Sequence, residues 1–541
     1  MKLKLLQLLA VFALLAASWS CNKDLADQIA KLQEQKAELE GRISELPVAS
    51  DVESDGFSIH FDQEYYWVDA GSTIAIDYEL SKPASVEVMA GEGWSAVVAK
   101  QGTSSGSISI TAPDPASPGI ITVKAAGNEG ESAESFIRVF VRKPFNQVKS
   151  PQIDVHAYFG FGDQHATPEN FQRLVDAGIT MLTVEGDWEP SLDWRKHCRL
   201  AEEYGIKVVL FISGSAGNYS SDPEHDKSLE NKVREAITYP AVCAFQIADE
   251  PHTDIAYRLA VAKQRIEELA PGYPVYINLH PSSVSQAGMG AVTYEEYVNY
   301  FARICQLSFI TFDQYPIFTW GVEDCWYNSL NIVYDVCHRY GIPFWAFIQS
   351  CREGGRVDPT LETMRLQGNI NVAYGAQCNQ YFVWVNTSGT GYAPFVANGY
   401  RLPDGTWVNP EPHYTQAYED CKAYDRELHN REFVFACGNV YKVRHTGRNY
   451  YLHGACLTKE DLPEAISDIT TYGSSLVSFV GKSGNEYVVI CNKTYLEKLP
   501  VEVEFTREVY TIDRDGAFTQ QSPGKTSFTL DEGDMLIIKW R

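Results

Sequence analysis

Two apolar runs in this chain end in carboxylic acids. Residues 242–248 run into Asp249-Glu250-Pro251, and residues 309–312 run into Asp313-Gln314-Tyr315-Pro316. A carboxyl at the end of a buried strand is costly unless it is used. As a pair, such groups can open a glycosidic bond: one acid protonates the leaving oxygen while a second carboxylate acts as nucleophile or base. Structural roles stay open beside that one. Glu250 before Pro suits a helix start, and Asp313 before Tyr-Pro is good turn chemistry. Other runs end in His156, in Glu185 and Asp187, in Asn278 and His280, in Gln349, and in Trp384 with Asn386. Amides, acids and imidazoles bind hydroxyls, and aromatic faces such as Tyr315 and Trp384 stack on sugar rings. Glu185 is expected to be a hydroxyl ligand or a solvated loop residue. His156 and His280 are as well read as satisfied core groups as sugar contacts. Other chemistries lack their motifs. There is no HExxH for zinc, and Ser213-Gly214-Ser215-Ala216-Gly217 fails the GxSxG of serine esterases. Gly160-Phe161-Gly162 is followed by His165 where a dinucleotide fingerprint needs its third Gly. Neither a metal nor a cofactor is expected.

These groups act together only if the chain carries them to one place. Between about 150 and 430 a rhythm repeats: amphipathic helix, Gly, short buried strand, polar loop. Thr167-Pro168 opens one such helix as N-cap and first residue, and Gly178 closes it. Gly205, Gly272, Gly341 and Gly375 likewise precede apolar runs. With residues 155–159, 242–248 and 309–312 added, the pattern gives eight strands, each buried on both faces, over the length of a (β/α)8 TIM barrel. In that fold the strand C-termini share one rim, and every residue named above lies at such an end.

The flanks differ in character. Lys2 and Lys4 precede the apolar run 5–17, too short to span a bilayer, so residues 1–20 read as an export signal. Residues 21–47 place Leu25, Ile29, Leu32, Lys36, Leu39, Ile43 and Leu46 at coiled-coil spacing, a stalk that spaces the protein from a membrane or joins it into a homo-oligomer. Residues 55–144 alternate polar and apolar between Gly, Pro and Ser turns and are expected to form an immunoglobulin-like β-sandwich. Residues 431–541 are expected to form a second β-sandwich. With 45 Lys and Arg against 70 Asp and Glu, the net charge of −25 argues against nucleic acid as a partner. Acidic, aromatic-rich composition suits a carbohydrate. The 12 Cys show no CxxC pair and no metal-ligand rhythm, and Cys243, Cys305, Cys337 and Cys378 read as small buried hydrophobes.

Two resemblances sharpen this reading. Ser18-Trp19-Ser20-Cys21 resembles a bacterial lipoprotein signal, which implies lipid on Cys21, attachment to a membrane by that lipid alone, and an outer-membrane or cell-surface location of the Bacteroidota multidomain type. Residues 244–251, Ala-Phe-Gln-Ile-Ala-Asp-Glu-Pro, resemble the strand-four Asn-Glu-Pro motif of the large clan of (β/α)8 glycoside hydrolases. Residues 312–316 and 343–349 look like strands six and seven of related barrels. The resemblance implies that Glu250 is the acid/base and that Asp249, in place of Asn, contacts a sugar hydroxyl. It also puts Gln349 where the nucleophilic Glu should stand, and an amide is a poor nucleophile. Asp313 as general base or displaced nucleophile, Glu353 from its loop, or a substrate acetamido group steadied by Asp249 would each repair the mechanism. A degenerate barrel that only binds glycans is the alternative.

Overall fold

The computed structural model describes residues 57–541 except 62–64, 70, 92, 102–103, 114–118, 128–129, 143–151, 159, 188–192, 220–222, 351, 353–354, 387–395, 398–399, 402–406, 409–412 and 448–455. The expected signal, Cys21, the coiled-coil stalk and Glu353 lie outside the described residues.

Eight parallel strands close into a barrel: β1 (Asp154–Ala157), β2 (Met181–Glu185), β3 (Lys207–Phe211), β4 (Val242–Asp249), β5 (Val275–Leu279), β6 (Ile310–Phe312), β7 (Phe344–Gln349) and β8 (Cys378–Phe382), which pairs back onto β1. These are the eight runs read from the sequence, shifted by up to three residues at their ends. The helices around them include α1 (Pro168–Asp176), α2 (Trp194–Tyr204), α3 (Pro223–Ala236), α4 (Ala256–Leu269), α5 (Tyr294–Ile304), α6 (Asp324–Tyr340), α7 (Leu361–Tyr374) and α8 (Gln416–Phe435). Helix stops follow the glycine rhythm. Gly205 and Gly341 sit at φ of +71° and +64°, turning the last carbonyls of α2 and α6 so that the chain drops straight into the next strand.

Before the barrel, two four-stranded sheets meet around one core. Ile76, Tyr78, Ile108 and Ile110 face Val86, Ile121, Val123 and Val139. After the barrel comes a six-stranded sheet covered on one side by a three-stranded one. Its strands Ser475–Lys482, Asn485–Asn492 and Met535–Lys539 are apolar on both faces, for a physical reason. Val477, Phe479, Val488, Ile490 and Ile538 pack under the three-stranded sheet, while Leu476, Val480, Val489, Cys491 and Ile537 join the barrel core. Helix α7 lies between barrel and sheet and is buried almost all round, so its polar residues Arg365, Gln367, Asn369 and Asn371 find their partners inside the protein.

An ion network crosses this seam. Glu427 of α8 takes a bidentate pair of hydrogen bonds from Arg365 of α7, at 2.9 and 2.5 Å. Arg431 lies 3.5 Å from Asp534 of the sheet, which also accepts from Arg514 at 2.8 Å. Among the described residues ten Cys are free and seven of them buried, Cys243, Cys305, Cys337 and Cys378 included.

Glu427→Ala leaves the buried Arg365 guanidinium without its carboxylate and should lower stability in urea unfolding by about 3 kcal/mol. Breaking the exposed Lys459–Asp468 pair at 3.6 Å should cost under about 1 kcal/mol. Equal losses would mean that burial does not set the strength of these pairs.

Candidate active site

Strand alternation sorts the barrel interior into tiers. The floor is apolar, with Met181, Val209, Ala244, Tyr276, Phe309, Trp345 and Cys378 in one buried cluster. Two residues further along, the same faces carry Thr183, Gln246, Asn278, Thr311 and Gln380, joined by His156 of β1, all buried. Another step reaches the mouth with Glu185 and Asp313.

On β4 that step is three residues long. Gln246 pairs with Tyr276 and Asp249 with Asn278, so three steps along β4 oppose two along β5. This bulge turns Asp249 inward, where simple alternation would have placed Ala248. Asp249 Oδ1 accepts from Asn278 Nδ2 at 2.9 Å. Glu250 follows at φ +45°, a left-handed backbone that costs a residue with a Cβ about 1–2 kcal/mol. Its N–H donates to the Asn278 carbonyl at 2.9 Å, and its Oε1 lies 3.3 Å from His280 Nδ1. The Tyr297 hydroxyl accepts from the His280 N–H and donates to the Pro251 carbonyl, which ties the ends of β4 and β5 together.

Asp313 sits deeper. Its Oδ2 accepts from the Tyr315 hydroxyl at 3.3 Å, and its Oδ1 is buried with no hydrogen-bond partner among the described residues. Burial, with the Glu250 and Asp249 charges added, drives its pKa well above the ordinary Asp range. Asp249 is pushed up to about 6, by burial and by Glu250, against the opposing Asn278 bond and His280. Three carboxyl groups therefore interact in one mouth, and the most buried of them holds a proton most strongly.

Other expected site residues go elsewhere. His156 lies a tier below the mouth, with Nδ1 2.9 Å from Gln380 Oε1 and Nε2 2.7 Å from Thr183 Oγ1. Burial lowers its pKa to about 4, so it is a neutral core group. Gln349 Oε1 accepts from the Ile317 N–H at 3.1 Å, and its Nε2 donates to the carbonyls of Ile317 and Val357 at 3.1 and 3.3 Å. A carboxylate could not donate those two bonds, so the amide at the end of β7 is required as a loop clamp. Trp384 is fully buried, its ring edge-on to Tyr418 of α8 at 6.1 Å. It offers no face for stacking. Glu185 ends β2 half-buried. Asp187 is paired with Lys232 and accepts from the Ser215 N–H at 3.0 Å.

Tyr315 was singled out from the sequence; Tyr158 and the groups packed around Tyr315 were not. Tyr158 stands over His156, its hydroxyl accepting from Gln246 at 2.8 Å, and its ring meets Phe347 edge-on; its position two residues beyond His156 was the available signal. After β6, Tyr315 stacks on Phe382 at 5.2 Å and the Arg356 guanidinium covers Tyr315 and Phe318. Trp320, 68% exposed, stacks on Phe318 at 4.3 Å. Tyr315 beside Asp313, the Arg356 guanidinium, Phe318 and Trp320 thus form a line that reaches solvent.

Among the described residues no group of three His, Cys, Asp or Glu is arranged to hold a metal ion. No family model and no curated protein matches the chain. Solved structures similar to it include a family 39 glycoside hydrolase from Bacteroides cellulosilyticus WH2, at 10% identity and TM-score 0.43, covering 90% of this chain and 100% of that one. A glycosyl hydrolase family 2 member from Bacteroides cellulosilyticus DSM 14838 is 10% identical at TM-score 0.34, covering 89% and 76%. A Bacteroides ovatus GH5 xyloglucanase is 11% identical at TM-score 0.31, covering 60% and 93%. At such scores the chemistry of this chain has to be read from its own residues.

Because the folded state raises the Asp313 pKa, it binds that proton more tightly than the unfolded chain does. The stability this gives is full below the ordinary Asp range and is lost as pH rises toward the folded pKa. Asp313→Asn should therefore be more stable than the native chain at pH 8 by about 1 kcal/mol or more, with the advantage gone below about pH 4. Thermal unfolding at the two pH values checks this, and a variant less stable at pH 8 would refute it.

Proposed function

We propose that the barrel mouth hydrolyses a glycosidic bond, with Asp313 and Glu250 as the catalytic pair. The observation that carries this is the convergence of two carboxyl groups of unequal burial, from β4 and β6, on one mouth next to that line of aromatic groups. Environments that push two acids apart in pKa mark a donor and an acceptor. Burial supports Asp313 as the proton donor, and Glu250 beside His280 takes the complementary role. In the reaction the anomeric C–O bond to the leaving group breaks and the leaving oxygen takes the Asp313 proton. Water, giving a proton to Glu250, supplies the new oxygen at the anomeric carbon. One water is consumed, the proton taken up by Glu250 passes back to Asp313 and restores the starting state, and the configuration inverts. Glu185 and Asp249 are hydroxyl ligands in this reading, and Trp320 rather than Trp384 is the outer stacking face. Export and lipid attachment at Cys21 would put the activity on an extracellular glycan.

The strand-four resemblance favours a second assignment, with the proton on Glu250, the more open group at the rim. Leaving-group dependence separates the two. Asp313→Asn should lower hydrolysis of unactivated glycosides by on the order of 10² or more, and far less for activated aryl glycosides that need no protonation. If Glu250→Gln shows that sparing effect instead, the roles are exchanged. NMR of the first-formed anomer tests inversion, and retention would make the partner carboxylate a nucleophile. If a broad glycan panel gives binding but no hydrolysis, the barrel is a glycan-binding one.

Trp320→Ala should raise KM for oligosaccharides several-fold, since an aromatic platform contributes on the order of 1 kcal/mol, while leaving kcat on short aryl glycosides unchanged. An unaltered KM on every chain length would remove Trp320 from the site.

A further inference from the structure

The middle tier of the barrel holds one continuous line of buried hydrogen bonds. Thr183 Oγ1 is 2.7 Å from His156 Nε2, and His156 Nδ1 is 2.9 Å from Gln380 Oε1. Gln380 Nε2 donates to Thr311 Oγ1 at 2.7 Å, Thr311 donates to Asn278 Oδ1 at 3.1 Å, and Asn278 Nδ2 donates to Asp249 Oδ1 at 2.9 Å. The line crosses strands β2, β1, β8, β6, β5 and β4.

Its direction follows from counting donors and acceptors. An ionised Asp249 only accepts, so Asn278 must turn its NH2 toward it and present its oxygen to Thr311. The single Thr311 proton goes to that oxygen, leaving its lone pairs for the Gln380 NH2. Gln380 then shows its oxygen to His156, which must carry its proton on Nδ1. Neutral His156 is left with Nε2 as an acceptor for the Thr183 hydroxyl. Every dipole points the same way, and bonds in such a line polarise one another.

We infer that Thr183, His156, Gln380, Thr311 and Asn278 form a one-way donor chain that keeps Asp249 a charged, fixed acceptor at the mouth, with His156 and Thr311 as positioning residues acting through Asn278. The charged and titratable groups facing Asp249 are Glu250 on its own strand, His280 and Tyr276 of the β5 segment, Asp313 after β6, Tyr158 after β1 and Tyr297 of α5. Glu250 and Asp313 oppose a charge on Asp249, and the three tyrosines are neutral. The chain and His280 are therefore what favours that charge. At the other end, His156 is near Asp154, which is itself paired with Lys207 at 2.9 Å.

The link to catalysis rests on the glycosidase reading, in which Asp249 must be charged to accept from a sugar hydroxyl; the effect on Asp249 itself does not. The test follows the carboxyl signal of Asp249 by 13C NMR titration of the full chain. Thr311→Val removes the central hydroxyl at constant shape and should raise the Asp249 midpoint by at least about 0.3 pH unit. Thr183→Val, which breaks only the far link, should raise it less, and Thr311→Ser should restore the native midpoint. On an activated glycoside, the acidic limb of kcat/KM should move up with the midpoint. Thr183→Val carries the test if Thr311→Val does not fold. An unmoved midpoint in whichever valine variant folds, or an equal shift in Thr311→Ser, would overturn the chain. A shifted midpoint in a protein without hydrolytic activity would keep the chain and defeat the glycosidase reading instead.

Discussion

Asp249, Glu250 and Asp313 occupy one mouth, where like charges repel, most strongly around Asp313, which is buried while the other two reach solvent. Much of the surrounding architecture follows from holding three acids there. His280 stands against Glu250, Tyr315 donates to Asp313, and Asn278 donates to Asp249 with a file of polar residues behind it. Below this tier the barrel is closed by the Trp345–Phe309 stack. The apolar floor lowers the local dielectric, so the few fixed dipoles above it act over short distances with little competition from water.

The price of the arrangement is visible in the backbone. Glu250 takes a left-handed conformation without being glycine, and the bulge before Asp249 leaves one residue of β4 out of register. Both departures sit within five residues on the strand that supplies two of the three acids. Strain and bulges persist where surrounding structure over-determines them, and here the clamp is specific: the Glu250 N–H on Asn278, and the Tyr297 hydroxyl joining Pro251 to His280.

Support from outside the barrel has a different basis. The C-terminal six-stranded sheet shares the barrel core through Leu476, Val489 and Ile537, and the Glu427 network crosses the same seam. Tyr495 of that domain also donates to the Phe318 carbonyl at 2.9 Å, at the base of the Trp320 platform. The C-terminal sheets therefore help to fix a loop at the rim of the site, as well as covering α7.

The sequence by itself determined the barrel, because helix-stopping glycines and strands apolar on both faces are local signals that tertiary context did not override. It also placed the two acid-bearing strand ends, since Glu250 and Asp313 each close an apolar run. What it could not determine was direction and partner. Simple alternation would have pointed Ala248 into the mouth, and only the pairing of Asp249 with Asn278 across the sheet exposes the bulge that changes this. Gln349 looked like a lost nucleophile, yet its partners are backbone groups, of Ile317 brought over from beyond β6 and of Val357 in the segment that follows β7. Trp384 and Trp320 are alike in composition terms. One is sealed against Tyr418 and the other is held open on Phe318, because α8 covers the first and nothing among the described residues covers the second. Parity, solvent access and the identity of hydrogen-bond partners depend on residues tens to hundreds of positions apart, and those distances close only in the folded chain.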